Sequence, residues 1–416
     1  MNVLLLNQAF YPDVVATAQQ LTDLAEALAA RGHRVTVVAG DHGYDDPSKR
    51  FASREEHRGV RIIRIGYGKF GKGSKAARAA DFASFHARLG FTLLGLSRQD
   101  VTVALTSPPL ISVTAKLFQK VKGGRFVYWV MDLNPDEAVA ARWLGERSLT
   151  TRVLRGLNGW SLRGADRIVA LDRFMAERII GRYGVRPAAV TVLPPWAHDD
   201  RLEPVPHERN PFRREHGLEE KFVVMYSGNH SPCHPLETLL EAARRLREDR
   251  QVLFCFIGGG SLVARVREFA RENGLANILQ LPYQPIETLS FSLSAADLHV
   301  AVMGEPFVGI LHPCKLYGVL SVGRPFVFIG PRASHLGELV RDSGLGCQVA
   351  HGDVPGLLAA IADARAFDPA RLEEILRRSR AYMEEGLSRD RLCGRLVTLL
   401  EKTAQHSLET ARPALT

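Results

Sequence analysis

The chain has 416 residues, 46% apolar and 24% charged, the make-up of a globular protein with more than one core. No apolar run reaches the roughly 18 residues that a spanning helix needs, and the five cysteines (233, 255, 314, 347, 393) form no C-x-x-C pair, so the sequence offers no disulfide framework and suggests a reducing, cytoplasmic setting. The net charge of +9 is uneven: residues 1–198 hold 28 Lys+Arg against 17 Asp+Glu and the remainder 26 against 28, which points to an acidic or membrane-bound partner for the first half.

The opening "MNVLLLNQAFYPD" lacks a basic n-region and a small-residue cleavage site, and reads as a first strand. "TAQQLTDLAEALAARG" follows with apolar residues at 21, 24, 25, 28 and 29, one helical face, and Gly32 placed to cap it. "HRVTVVAG" is the next strand. Residues 61–98 concentrate the basic excess: Arg61, Arg64, Lys69, Lys72, Lys75, Arg78, Arg88 and Arg98 face only Asp81. Phe70, Phe82, Phe85, Leu89, Phe91, Leu93, Leu94 and Leu96 are interleaved with them. This suits a helix lying in an anionic membrane interface; an amphipathic helix packed on a sheet is the other reading. "VTVALTSPP", "RFVYWVMDLNPD", "DRIVALD" and "VTVLPPWAHDD" continue the strands, each next to a helical stretch.

"HDDRLEPVPHERNPF" is rich in proline and charge and reads as a linker, after which the alternation restarts with "KFVVMYSG", "VLFCFIGGG", "ILQLPY", "DLHVAVM" and "PFVFIGP" as strands. The expected organisation is a first α/β domain over 1–198, a linker at 199–211 and a second α/β domain over 212–386. A helical tail, 387–416, breaks near Gly386 and rejoins the first domain. Apolar strands alternating with helices mean doubly wound parallel sheets. Ligands of such sheets bind beyond the carboxyl ends of the strands, which directs attention to Asn7–Thr17, Ser107, Asp132–Glu137, Ser227–His230, Gly258–Ser261, Pro282–Gln284 and 303–316.

Within these, "GILHPCKLYGVLSVGRP" opens a helix with Lys315 on its first turn, where the dipole favours an anion. A bound anion resolves that conflict; a solvated surface lysine is the alternative. Arg324 stands at the helix stop, where a positive charge complements the dipole. Gly228 and Asn229 end a strand with little side chain, so the backbone can approach phosphates. Asp132 ends an apolar strand and can orient a hydroxyl or take a proton; a helix cap by Asp132 or Asn134 is the plainer role. Pro12, Ala16 and Thr17 make a small-residue loop in which Thr17 can also cap the following helix. Cys233-His234 and His312-Pro-Cys314 lack finger spacing and no metal is expected there; His234 or His312 could instead serve near phosphates.

Taken in order, these segments resemble the family-four retaining glycosyltransferases of the GT-B fold. "FYPDVVATAQQLTDLAEALAARGHRVTVVAG", "LTSPP", "VYWVMDLNPDE", "FCFIGGGSLVARVREFARENGLANILQLPYQP", "GEPFVG" and "HPCKLYGVLSVGRP" look like the branch that acts in bacterial polysaccharide assembly. The resemblance implies two Rossmann-like domains facing a cleft. It implies a nucleotide diphosphate sugar as donor substrate, with UDP or GDP most favoured, no other cofactor and no metal. The acceptor is a saccharide or a membrane-associated lipid carrier, and nucleic acid is not a partner. Lys315, Asp132 and Glu305 would be catalytic. Gly228, Asn229, His230, Gly258, Gly259, Tyr283, Gln284 and Leu316 would join Lys315 around the donor, and Pro12, Ala16, Thr17, Ser107 and Asn134 would receive the acceptor. The chain departs from the family at Gly318, where a ribose-binding Glu is usual, and lacks the Arg/Lys pair often found after the first strand of the second domain. A nucleotide-sugar epimerase, or a catalytically silent sugar- or nucleotide-binding protein of an assembly complex, are the alternatives.

Overall fold

The computed structural model describes residues 1–44, 46, 48–68, 75–197 and 202–410. The chain divides into two compact units. One takes Met1–Trp196, Gly309–His312 and the chain from Arg389; the other takes Ala197–Val308 and Pro313–Ser388.

The first unit contains β1 (Asn2–Leu6), α1 (Ala16–Ala30), β2 (Arg34–Gly40), β3 (Arg54–His57), β4 (Val60–Ile65), α2 (Lys75–Leu94), β5 (Val101–Ala104), α3 (Ile111–Lys122), β6 (Arg125–Val130), α4 (Asp136–Ala140), α5 (Leu149–Arg163), β7 (Arg167–Ala170), α6 (Arg173–Tyr183) and β8 (Val190–Val192). Among the described residues these strands form an eight-stranded sheet in the order β3-β4-β2-β1-β5-β6-β7-β8, parallel except for β3 against β4. Val3 to Leu6 are fully buried, as a central strand covered on both faces requires. β1 lies where the strand order reverses, so the loops after β1 and β5 open at a switch point.

The second unit contains α7 (Pro211–Glu215), β9 (Phe222–Ser227), α8 (Glu237–Arg245), β10 (Val252–Ile257), α9 (Val263–Glu272), β11 (Ile278–Leu281), α10 (Leu289–Ser294), β12 (Leu298–Val302), α11 (Lys315–Ser321), β13 (Phe326–Ile329), α12 (His335–Ser343), β14 (Cys347–Val349), α13 (Val354–Arg365) and α14 (Pro369–Tyr382). Its sheet is parallel, in the order β11-β10-β9-β12-β13-β14, with the reversal between β9 and β12. The chain then returns to the first unit as α15 (Arg389–Thr410). There Leu396, Val397 and Leu400 are fully buried as α15 packs on α1, β5 and β6. Asp23 of α1 anchors both crossings. It accepts from Trp196 Nε1 at 2.8 Å where the chain leaves and pairs with Arg389 Nε at 3.5 Å where it comes back.

Several local readings need correction. Residues 61–98 are not one basic helix. Residues 60–65 are β4, joined to β3 by Arg58-Gly59, both with positive φ (46° and 77°), which is the two-residue turn that suits antiparallel strands. Arg64 is buried against Glu55. In α2, Phe85, Leu89 and Leu93 pack into the core while Phe91 and Leu94 face solvent. Lys69, Phe70 and Lys72 lie outside the described residues, as do the side chains of Lys75 and Arg78.

The expected linker is partly folded. His207–Arg209 is a 3₁₀ turn, and Asn210 caps α7 with Pro211 at its first position, so the end of the stretch read as a linker is a helix start. Residues 198–201 lie outside the described residues. Thr17 caps nothing: Val15 is the N-cap of α1, without a side-chain bond. Neither Asp132 nor Asn134 caps α4, whose N-cap is Pro135. The tail tightens into a π-turn at Met383–Leu387 and breaks at Ser388 rather than at Gly386. Arg324 follows α11 as expected; its guanidinium is half-buried, which lowers its pKa, and it donates to Val205 O at 3.1 Å.

Arg213 holds the base of the second sheet. Its buried guanidinium donates to Ala295 O (2.6 Å), Leu218 O (2.6 Å) and Lys221 O (2.5 Å), and pairs with Asp297 at 3.1 Å. Asp297 also accepts from Val223 N at 2.7 Å, tying the start of β9 to β12. Arg213→Leu leaves a carboxylate and three carbonyls without their donor, so it should cost about 3–5 kcal/mol, read as a lower urea midpoint; an unchanged midpoint would show that the clamp is dispensable.

Candidate functional site

In the second unit, the turns after β9 and β10 interlock. Gly228 N donates to Ile257 O at 2.8 Å, His230 N to Gly259 O at 2.7 Å and Leu262 N to His230 O at 3.0 Å. The contact is too close for side chains. A Cβ on Gly258 would fall on Gly228 O, and one on Gly260 would fall on Asn229 Oδ1 and His230 O. Gly228, Gly258 and Gly260 also have φ of 139°, 136° and 126°, which only glycine adopts without strain. The run "GGGS" is therefore a steric necessity, although it is not a dinucleotide fingerprint.

Lys315, the first residue of α11, lays its side chain over this joint. Its Cε lies 2.6 Å from where a Gly228 Cβ would be. Its Nζ donates to Tyr226 Oη at 2.8 Å and Asn229 O at 3.0 Å, and stands 4.8 Å from the Tyr226 ring centroid. Among the described residues Lys315 is in no ion pair. Burial without a carboxylate pulls the ammonium down to about 7. Burial likewise raises the Tyr226 phenol well above its ordinary range. His230 packs edge-on to Tyr226 with centroids 5.0 Å apart. Burial, then the nearby Lys315, lowers its pKa, so it stays neutral at pH 7. Tyr283 covers the other side, 2.9 Å from a Gly259 Cβ position, and is 59% exposed.

Gly228, Asn229, His230, Gly258, Gly259, Tyr283 and Lys315 thus come together at the switch point of the second sheet. Four other residues do not join them. The Leu316 side chain is buried under α11. Gln284 turns back to Pro282 O at 3.0 Å. Glu305 is exposed and lines a separate cavity of about 620 Å³ with Glu237, Glu241 and His351. A Cβ at Gly318 would point at Leu293 Cδ1 (3.1 Å) and Leu202 Cδ1 (3.7 Å), among apolar side chains. The histidine candidates have other partners. His234 is buried, which pushes it down to about 3, and its ring bonds Val302 O. His312 belongs to the first unit, paired with Asp172 at 2.8 Å.

In the first unit, the ends of β1, β5 and β6 are tied together. Gln8 N donates to Ser107 O at 2.6 Å, Ser107 Oγ donates to Gln8 Oε1 at 3.2 Å, and Asp132 N donates to Thr106 Oγ1 at 3.4 Å. Asn134 Nδ2 donates to Glu137 Oε2 at 3.3 Å. Burial, and then the charge of Glu137, lifts the Asp132 carboxyl to about 7, and burial raises Glu137 as well. Two carboxyls that cannot both ionise readily hold a proton near neutrality, which suits proton transfer. Ser107, Asp132 and Asn134 fall in this group. Among the described residues, no hydrogen bond links it to Pro12, Ala16 or Thr17, which lie on the β1–α1 loop and first turn. The sequence reading missed Glu137 as a partner and Tyr226 as the platform for Lys315. Tyr226 lies near the end of β9, but its sequence marks it only as a core residue, and Glu137 lies on α4, away from any strand end.

Two outcomes follow. Gly258→Ala imposes both a clash and a positive φ, and should cost about 1–3 kcal/mol in unfolding free energy measured with urea. Asp132 ionises near 3.8 when unfolded but only near 7 in the fold. Its burial therefore costs stability increasingly as pH rises from about 4 to 7, and by a constant amount above that. The Tm of Asp132→Asn relative to the parent should rise over that window and then level off; a flat difference would refute the assignment.

Residues 16–196 match the model of the glycosyl transferase 4-like domain. The chain is 27% identical over 266 residues to the probable glycosyltransferase WbjE of Pseudomonas aeruginosa, covering 64% of this chain and 66% of that protein. It is 24% identical over 376 residues to the putative colanic acid biosynthesis glycosyl transferase WcaI of Escherichia coli strain K12, covering 88% and 92%. Among solved structures, Anabaena HepE in complex with UDP and glucose superposes with a TM-score of 0.72 at 17% identity over 97% of this chain and 100% of that one. WaaG, a glycosyltransferase involved in lipopolysaccharide biosynthesis, gives 0.68 at 17% over 96% and 99%. The structural likenesses carry the GT-B fold, and by the domain match and the two relatives the chain is similar to glycosyl transferase 4-like glycosyltransferases.

Proposed function

We propose that the protein is a retaining, metal-independent glycosyltransferase of cell-surface polysaccharide or glycolipid assembly. It would move a hexose-type unit from a nucleotide diphosphate sugar to a saccharide or membrane-associated acceptor, working peripherally on the inner face of the plasma membrane. The observation that carries this is the Lys315 ammonium, held over the glycine turns by Tyr226 and Asn229 without a carboxylate partner. A diphosphate supplies the missing negative charge, and the glycine turns admit it to the backbone. WbjE and WcaI, by their names, and WaaG, by its title, support the assembly role. HepE in complex with UDP supports the choice of a uridine nucleotide.

In this reading the bond from the anomeric carbon to the diphosphate breaks and its electron pair stays on the diphosphate, whose charge Lys315 offsets. The acceptor hydroxyl attacks from the same face and its proton leaves with the diphosphate, so no covalent nucleophile on the protein is required. Asp132, with Glu137, orients a sugar hydroxyl or relays that proton. Product stereochemistry by NMR tests retention, and activity after dialysis against EDTA tests metal independence.

Lys315→Ala should weaken UDP binding roughly 10- to 100-fold by calorimetry, the size of one charge-assisted contact. In the parent, affinity should fall with rising pH above about 7, approaching tenfold per unit, because the free ammonium then loses its proton and binding requires it charged. The variant should lose that slope. Affinity unchanged by the substitution would remove the basis of this reading. Binding without turnover would favour the silent sugar-binding alternative, and interconversion of free donors the epimerase.

A further inference from the structure

A cavity of about 460 Å³ opens in the first unit between the end of α1, β8 and α15. It shares no residue with the two groups at the strand ends. Four cations line it: Arg31, the C-cap of α1, and Arg391, Arg395 and Lys402 of α15. Among the described residues no acid lines it. Leu193 and Leu399 supply its apolar wall, and Thr191 and Thr398 stand beside the cations.

Helical spacing produces this stripe. Positions 391, 395, 398 and 402 follow one another by three or four residues, so they share one face of α15, opposite the buried Leu396, Val397 and Leu400. Arg391 and Arg395 are like charges at a spacing where they repel. Glu401 borders the stripe, but its carboxylate is taken by Arg31 Nη1 at 3.2 Å and His33 Nε2 at 2.8 Å. Among the described residues the exposed Arg395 guanidinium has neither a hydrogen bond nor an ion pair. An anion seated in the hollow relieves the repulsion, and guanidinium groups bond phosphate oxygens in pairs.

We propose that this cavity is an anion site for a soluble small molecule that carries a diphosphate or two phosphates. Four cations around one hollow exceed what a single carboxylate balances, whereas a diphosphate brings several negative charges at once. The volume falls within the range of roughly 300–1,000 Å³ usual for small-molecule sites. None of the lining residues is an exposed large apolar side chain, so nothing there anchors an acyl chain and a lipid headgroup is the poorer occupant. A ligand in this place joins Arg31 of α1 to the basic face of α15, so its binding stabilises the packing of α15 on the first unit. The site does not depend on the reading of Lys315.

Calorimetric titration of the full-length Lys315→Ala protein with inorganic pyrophosphate tests it, since that background removes the donor site proposed above. Binding should be saturable and one-to-one, and pyrophosphate should raise the Tm of the same protein. Adding Arg395→Glu with Lys402→Glu, both at exposed positions, should weaken binding by about tenfold or more and abolish the rise in Tm. Arg395→Ala alone should weaken it in the same direction by less. In the parent background the Arg395/Lys402 pair of substitutions should leave UDP affinity unchanged. No saturable binding to the Lys315→Ala protein, or equal binding after the two further substitutions, would overturn the proposal. So would displacement of bound pyrophosphate by phosphatidylglycerol vesicles, which would assign these cations to lipid. Equal pyrophosphate stoichiometry in the parent and Lys315→Ala would count against the donor reading, while the Arg395/Lys402 comparison still decides this one.

Discussion

The arrangement of the second unit turns on one half-buried ammonium that no acid meets among the described residues. Lys315 is oriented by a phenol and a carbonyl, neither of which cancels its charge. Burying a cation this way is unfavourable unless a counter-charge arrives. Its neighbours make room for that arrival. Gly228 lets the lysine stem lie flat on the strand end, Gly258 lets the next turn close beneath it, and Tyr226 is itself buried so that its hydroxyl is fixed. The first unit carries the opposite arrangement in Asp132 and Glu137, whose carboxyls hold protons above their ordinary range. Both groups cost folding stability, a trade that functional sites commonly make.

Much of this was legible in the sequence. The alternation of apolar strands and helices is a period that a parallel sheet imposes, so the order of elements emerged without the coordinates. Lys315 stood out because its charge opposes the helix dipole, and Gly228, Asn229 and Asp132 because they end strands. What could not be read were contacts that depend on how two distant turns meet. Tyr226 looks like an ordinary core residue until its hydroxyl is seen under Lys315. Glu137 becomes notable only beside Asp132.

The misreadings have physical causes. β3 and β4 are joined by Arg58-Gly59, and an arginine with positive φ is not a usual turn signal. The basic segment 61–98 looked uniform in composition, but a strand carries Arg64 into a buried pair while a helix carries Arg88 into solvent. The stretch ending in Asn210-Pro211 looked like a linker throughout because both residues serve in turns and in helix starts alike. His234 looked available for phosphate because a sequence gives residue types and not burial.

The anchoring of both chain crossings on Asp23 bears on how the matched domain can be handled in isolation. Residues 16–196 omit β1, the central strand of their own sheet, and α15, which covers α1, β5 and β6. A recombinant fragment cut at those limits would expose the apolar surface under Leu396, Val397 and Leu400 and leave Asp23 without Arg389. The family boundary is a boundary of sequence similarity. The compact unit is discontinuous: it takes β1 and α15 from opposite ends of the chain and Gly309–His312 from between them.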